Sequence, residues 1–370
     1  MSAATARAEP WDFAPALVQN AADRLKRCSS AAWYRIGDLY LQVTTDHAPL
    51  QREFDNTYGD CAASPPAGSP RLHCAAGLLP GGKLLCLLFD GPQVPDPLEV
   101  ALSPYRFLRR PRYVSMAGPL PGWRQLLAEG DGGQFQAASD GRILLIDPAA
   151  APPEFAIDCI VGMAQAAQPG VLYLHAGSVG IAGAGTLICG STGGGKSTTT
   201  LALALRGHAF LGDDVAVIRL ASREILPFPK SAGLRDGPLT DVLQERLRAS
   251  RHVLAENRWN MVRTVVRVGD LFPGSLGRPL PLRYAFLLDG FGEQASVADY
   301  QPQLADVKRL QALVSDASPS WGLSPGRDLM NFLVVVNLLS GLRCYRVRLG
   351  SPSETAELIE TTVNATCHST

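Results

Sequence analysis

Residues 190–197, Gly-Ser-Thr-Gly-Gly-Gly-Lys-Ser, follow the pattern G-x-x-x-x-G-K-[ST], which few folds accommodate. The apolar run Gly185 to Cys189 leads into it and predicts a strand, and Thr198 to Arg206 predicts a helix directly behind it. A glycine-rich turn between strand and helix presents consecutive backbone N–H groups unobstructed by side chains. The helix N-terminus adds the positive end of its dipole. That combination binds phosphate. Gly190, Ser191, Thr192, Gly193, Gly194 and Gly195 are the expected cradle, with Thr198 opening the helix behind it. Lys196 is expected to reach the β- and γ-phosphates, and Ser197 to give its hydroxyl to Mg²⁺. ATP with Mg²⁺ is therefore the expected pair, although no base-specific motif separates ATP from another donor.

A binding loop does not define a reaction. The next informative feature is Asp213-Asp214, which follows the short apolar run Ala209 to Gly212 in the position of a Walker B carboxylate. Adjacent acids at a strand end point in different directions, so their roles divide. Asp213 is the candidate metal carboxylate, with a turn cap as its alternative. Asp214 is the candidate proton acceptor beside the γ-phosphate. Lys230, in a loop stiffened by Pro227 and Pro229, and Arg235 are candidate contacts to the triphosphate or an acidic substrate. A solvated cationic face is the alternative for each.

At 370 residues the chain is long enough for two domains. The break expected from Pro148 to Pro153 divides it into a mixed, β-rich region over 1–150 and an α/β region over 151–370. The formal net charge of zero gives no global field favouring nucleic acid or a membrane surface. Eight cysteines show no C-x-x-C or paired metal spacing, which favours a reduced, cytoplasmic protein. The first ten residues lack a signal-peptide core. Leu329 to Leu342 is too short and too polar for a membrane span and predicts a buried helix.

Further helices are expected over Trp11 to Arg27, Phe155 to Ala167, Leu239 to Asn257 and Ser353 to Thr362, the last with a serine N-cap. Strands are expected from Trp33 onward, over Lys83 to Phe89, Arg106 to Met116, Val171 to Val179, Val215 to Leu220, Tyr284 to Leu288 and Cys344 to Leu349. Residues 61–82, rich in Ala, Ser, Pro and Gly, read as a long loop. On residue type alone, His175 within its apolar run is more readily a satisfied core histidine than a functional one. His208, at a helix end, reads as structural.

The order His175, Gly190 to Ser197, Arg206-Gly207-His208 and Asp213-Asp214 resembles the HPr kinase/phosphorylase family. The resemblance covers about forty residues. It implies an α/β fold with a P-loop core of HPr kinase/phosphoenolpyruvate carboxykinase type, here preceded by the N-terminal mixed domain. Carried over, Lys196 and Ser197 match that family's phosphate-binding lysine and metal-binding serine. Asp214 matches its proton acceptor and His175 its active-site histidine. The family's Ser-Gly-Ile-Gly-Lys-Ser-Glu is Thr-Gly-Gly-Gly-Lys-Ser-Thr here. Its later glycine-rich signature, which supplies a second metal ligand and supports the reverse phosphorylase reaction, is replaced by Pro227-Phe-Pro-Lys-Ser-Ala-Gly-Leu-Arg. Tyr34-Arg-Ile-Gly-Asp-Leu-Tyr-Leu is also similar to HPr-kinase-related proteins of peptide-modification clusters, some of which phosphorylate a serine of a precursor peptide such as a lasso-peptide precursor.

The expectation is a Mg-dependent kinase that transfers the ATP γ-phosphoryl group to a hydroxyl, by resemblance a serine of a peptide or small protein. The N-terminal region is the candidate acceptor-binding surface. A nucleotide-driven ATPase or switch and a small-molecule hydroxyl kinase are the alternatives. A homo-oligomer is compatible with the sequence.

Overall fold

The computed structural model describes residues 23–28, 31–78, 84–89, 113–117, 124–130, 133–139, 143–146, 153–168, 170–250, 252–256, 262–317 and 327–367. Most of the helix expected over Trp11 to Arg27, and the first part of the strand expected at Arg106, lie outside them.

The N-terminal strands are β1 (Ala31–Ile36), β2 (Leu39–Thr45), β3 (Arg71–Leu78), β4 (Leu84–Phe89), β5 (Tyr113–Ala117), β6 (Arg124–Gly130), β7 (Gly133–Ser139) and β8 (Ile143–Ile146). They form one sheet in the order β1-β2-β3-β4-β8-β7-β6-β5. Strand β2 buries every second residue, Leu39, Leu41, Val43 and Thr45, as a half-covered strand should. Helix α1 (Ala48–Tyr58) forms the crossover from β2 to β3, which is why this pair is parallel. The long loop expected over 61–82 is corrected here: its second half is β3. Leu72, Cys74 and Ala76 alternate into the core.

The remaining elements are α2 (Pro153–Ala166), β9 (Val171–Leu174), β10 (Gly177–Ile181), β11 (Ala184–Cys189), α3 (Lys196–Leu205), β12 (Ala209–Gly212), β13 (Ala216–Arg219), β14 (Glu224–Leu226) and β15 (Ala232–Leu234). There follow α4 (Pro238–Ala249), β16 (His252–Glu256), β17 (Val262–Val266), α5 (Val268–Leu271), β18 (Leu280–Phe291), β19 (Ser296–Asp299), α6 (Leu304–Ala317), α7 (Arg327–Ser340), β20 (Arg343–Leu349) and α8 (Pro352–Cys367). The main sheet runs β12-β10-β11-β18-β14-β13-β9, with β20 also on β18 and β19 on β20. Strands β11, β18 and β20 are parallel. Every residue of β11 is buried, because helices cover both faces of the sheet. Ile188, Phe286 and Val347 pack with Leu201 of α3 and Ile359 of α8. Leu187, Cys189 and Ala285 pack with Leu310 and Leu313 of α6 and Leu339 of α7 on the other side.

Three sequence expectations change. Val171 to Val179 is two strands: β9 pairs with β13 while β10 pairs with β11 and β12, and the chain breaks at His175-Ala176. The helix expected to reach Asn257 ends at Ala249, and His252–Glu256 pairs with β17 instead, since cross-strand partners win over continued helix periodicity. The last helix is capped by Ser351 rather than Ser353. The Ser351 hydroxyl accepts the Glu354 amide at 3.2 Å, and the Ser351 amide donates to the Glu354 carboxylate at 3.4 Å, a reciprocal capping box.

The N-terminal unit is bonded to the main sheet, not tethered beside it. Tyr34, Ile36, Leu41, Phe54 and Tyr58 share one core cluster with Ile157 and Ile160 of α2 and with Tyr173, Val217, Leu226 and Phe228. Gln168 Nε2 donates to the Ile36 carbonyl at 2.9 Å, and the Ser231 amide donates to the Thr57 carbonyl at 2.8 Å. Asp38 pairs with Arg219. No helix among the described residues is long and apolar enough to cross a membrane.

Phe228 is 1% exposed and lies between Tyr58, at 5.7 Å between ring centroids, and Tyr173, at 6.4 Å. Phe228→Ala is expected to cost about 3–5 kcal/mol, read from urea unfolding. Loss of the N-terminal tertiary signal and the core signal in one transition is the expected form; two separated transitions would show that the shared cluster does not couple them.

Candidate active site

Strand β11 delivers the chain to Gly190 at the C-terminal edge of the parallel strands, where α/β sheets leave a crevice. The loop then turns through Gly193 (φ 76°) and Gly195 (φ 88°), a left-handed conformation that glycine adopts at little cost. At Gly195 a β-carbon would also come within 2.6 Å of Leu349 Cδ1 at the end of β20. Gly195 is the N-cap of α3 and no side chain caps the helix, so its first amides face outward without a side-chain partner. Ser191, Thr192 and Gly193 are exposed at the rim, as is Thr198 on the first turn of α3.

Lys196 is 6% exposed, and its ammonium donates to the carbonyls of Gly190 and Ser191, each at 3.1 Å. Burial lowers its pKa, while the Asp214 and Asp213 charges work in the opposite direction. Neutral carbonyls are weak partners for a buried ammonium, so the arrangement favours an arriving anion.

Strand β12 ends in the two acids, and their surroundings differ sharply. Asp213 is buried, accepts a hydrogen bond from Ser197, and has one oxygen, Oδ1, without a partner. Burial, then the neighbouring Asp214 charge, push its carboxyl up to about 7, against the Ser197 bond and the Lys196 charge. Asp214 is 49% exposed at its side chain. Burial of its surroundings would raise it, but the His175 hydrogen bond and the Lys230, His175 and Lys196 charges outweigh that and hold it well below the usual carboxylate range.

His175 reaches Asp214 because of the break between β9 and β10. The Ala176 amide bonds back to the Leu174 carbonyl at 2.7 Å, and the His175 amide donates to Leu313 on α6 at 3.0 Å. This turn leaves the imidazole Nδ1 3.2 Å from Asp214 Oδ1. Lys230 approaches from the opposite side, its ammonium 4.0 Å from Asp214 Oδ2 and 3.9 Å from Asp158 Oδ1 of α2. It lies 5.9 Å from the ring centre of Tyr58 on α1. Tyr58, Asp158 and Asp214 together hold Lys230 above its ordinary pKa.

Ser197 and Asp213 fit a magnesium ion: a hydroxyl and a carboxylate with an orphaned buried oxygen are hard oxygen donors, and Mg²⁺ takes its remaining ligands from water and phosphate. Among the described residues there is no cluster of three or more His, Cys, Asp or Glu side chains able to hold a metal without such help.

The structure thus brings Lys196, Ser197, Asp213, Asp214, His175 and Lys230 together. It does not bring Arg235 with them: that residue is exposed, and its described contact is a backbone carbonyl accepting from Thr240 Oγ1 at 2.5 Å. His208 faces away and lies 3.5 Å from Glu360, which also accepts from Arg206 at 2.7 Å, tying α3 to α8. Sequence reading missed Asp158 and Tyr58. A lone carboxylate in the otherwise apolar Phe155 to Val161 was a signal for the first; nothing in the spacing pointed to the second.

No family model matches this chain, and no curated protein matches it. Solved structures similar to this chain include the Hpr(Ser) kinase/phosphatase from Coxiella burnetii, at 15% identity and a TM-score of 0.24, covering 53% of this chain and 97% of that one. A superposition this loose transfers neither residue roles nor activity.

Two outcomes follow from the geometry. Lys196→Ala is expected to weaken nucleotide binding about 10- to 100-fold, the worth of a charge-assisted contact, measured by calorimetry with a non-hydrolysable triphosphate. Unchanged affinity would remove Lys196 from the cradle. The second concerns the metal-free protein. Asp213 titrates near 7 when folded and near 3.8 when unfolded, so the folded state holds an extra proton between those values. Stability is then lost as pH rises from about 4 to 7. Asp214, with its depressed folded value, loses stability only as pH falls below its unfolded value of 3.8, outside that window. The melting temperature of Asp213→Asn relative to wild type should therefore climb between pH 4 and 7.5; a flat difference would contradict the raised carboxyl.

Proposed function

We propose that the chain is a Mg-dependent kinase that moves the γ-phosphoryl group of ATP to a hydroxyl, with a serine of a peptide or small protein as the acceptor. The observation that carries this reading is the division of the acidic pair. Asp213 is buried against the metal-binding hydroxyl, whereas Asp214 is half exposed, ionised and oriented by His175 and Lys230 beside the phosphate loop. A site that binds nucleotide as a switch has no need of the second, exposed carboxylate. The serine acceptor and the peptide class rest on the resemblance of Tyr34 to Leu41 and of the 175–214 segment described above.

In this reading the loop amides and Lys196 bind the triphosphate and fix the direction of its γ-phosphorus. Ser197 and Asp213 would hold Mg²⁺, which would supply charge neutralisation on the phosphate oxygens. Asp214 accepts a hydrogen bond from the acceptor hydroxyl. As the new oxygen–phosphorus bond forms, the bond to the β–γ bridging oxygen breaks and ADP leaves with that electron pair. The hydroxyl proton passes to Asp214. A carboxylate held this far below neutrality is a weak base. It serves because the transition state of phosphoryl transfer is loose and the proton moves late, so orientation counts for more than basicity. His175 and Lys230 keep the carboxylate ionised and aimed.

We place the protein in the cytoplasm on its cysteine spacing, which shows no C-x-x-C or paired metal pattern, and on its neutral charge. Helix α1 reaches the site through its last residue, Tyr58, which touches Lys230.

Incubating γ-labelled ATP and Mg²⁺ with a serine-containing precursor peptide, HPr, free serine or water tests the reading. Label on the peptide, reduced at least about 1,000-fold in Asp214→Asn while nucleotide affinity stays within a few-fold, is the expected result. Label on free serine alone would make it a small-molecule kinase. Phosphate released to water alone would make it an ATPase or switch.

A further inference from the structure

The face of α6 that lies against the strand ends carries Leu313 and, one turn earlier, Arg309. The Leu313 carbonyl accepts the amide of His175 at 3.0 Å, so this face borders the acidic pair. Arg309 Nη2 lies 3.5 Å from the carbonyl of Leu288, a loose contact. Leu287 pairs with Cys189 in the parallel register of β11 and β18, which sets Leu288 beside Gly190. A β-carbon added at Gly190 would in fact stand 3.2 Å from Leu288 Cβ. Lys196 caps the Gly190 carbonyl and Arg309 approaches the Leu288 carbonyl. Two cations from two helices therefore stand on neighbouring strand ends at the mouth of the phosphate loop.

Arg309 lacks the carboxylate partner that several other arginines have, and of the arginines bonded to a carbonyl, such as Arg246 and Arg348, it is the one whose carbonyl lies beside Gly190. Arg206 pairs with Glu360, Arg219 with Asp38 and Glu224, Arg267 with Asp60 and Arg346 with Asp289. Among the described residues no carboxylate lies within ion-pair distance of Arg309, and its guanidinium has a single neutral carbonyl as its partner. The side chain is exposed and long enough to swing. Its charge is already felt at Lys196 and Cys189, on both sides of the loop's first residue. A guanidinium that shares no carboxylate and stands next to a buried, anion-seeking lysine is suited to a second anionic oxygen.

We infer that Arg309 is the second cation of the phosphate site and grips the γ-phosphoryl group during transfer, releasing the Leu288 carbonyl to do so. This rests on the kinase reading above. As the acceptor oxygen bonds to phosphorus and the bridging oxygen departs with its electron pair to ADP, charge accumulates on that oxygen and spreads over the three equatorial ones. Lys196, held at the base of the loop, serves the bound triphosphate; Arg309, free to move, serves the arrangement that exists only in the transition state.

The test uses the full chain and its Arg309→Gln and Arg309→Lys variants. It measures binding of a non-hydrolysable ATP analogue and retention of MgADP with aluminium fluoride, a planar mimic of the transferring group. Melting temperatures confirm that both variants fold, and the exposed position makes this the expected result. Arg309→Gln should bind the ATP analogue within about 3-fold of wild type and lose at least about 100-fold in retention of the fluoride complex, within the range an arginine finger commands. Arg309→Lys should recover part of that loss. Equal retention in wild type and Arg309→Gln overturns the inference, and so does a parallel loss of ATP-analogue and fluoride-complex binding, which would mark a uniform charge effect. Neither readout needs an acceptor. If Arg309 proves necessary for the fluoride complex while no hydroxyl compound is phosphorylated, the inference stands and the kinase reading falls. If the wild type binds no nucleotide, both fall.

Discussion

Lys196 is almost wholly buried, yet the oxygens it bonds belong to the neutral carbonyls of Gly190 and Ser191. A buried ammonium without a full counter-charge is costly in a folded protein. Here the cost is met by geometry that serves an anion: two left-handed glycines, an uncapped helix start, and a strand buried along its whole length that can end nowhere but at this edge. The covering helices on both faces of the sheet follow from that strand. So does the close approach of α3 to β10, where a side chain at Gly177 would collide with Thr200 Oγ1 at 2.0 Å.

The same economy explains the acids. Consecutive residues at a strand end must diverge, so one of the pair enters the protein and the other leaves it. Asp213 enters, and burial raises it; Asp214 leaves, and a ring of His175, Lys230 and Lys196 lowers it. Two identical side chains separated by one peptide bond thus acquire opposite proton affinities, the difference on which the proposed metal-binding and proton-accepting roles rest.

The N-terminal unit enters this arrangement through one helix. Tyr58 at the end of α1 lies under Lys230, and Ser231, the next residue along, bonds to the carbonyls of Asn56 and Thr57. The loop that carries Lys230 is therefore fixed from both sides, by α1 and by the Phe228 cluster. A change in how α1 packs would be felt at Asp214 through a single ammonium.

The sequence by itself determined the loop, its strand and helix, the acidic pair and the lysine that follows two prolines, because each is local: its spacing is the spacing along the chain. It also supplied the alternation of β2 and the apolar runs of β11, β18 and β20. It misread Val171 to Val179 as one strand, since nothing in a run of apolar residues reveals that its two halves pair with different neighbours. The reversal at His175 exists because Leu313, far along the chain, accepts its amide. Tyr58 and Arg309 were beyond reach for the same reason, and the lone carboxylate at Asp158 gave no hint of its partner. A carboxylate, a ring and a guanidinium separated by 100 or more residues gain a common purpose only when packing places them around one strand end. Local pattern decided which groups bind; long-range packing decided which of them face each other, and so which remain charged.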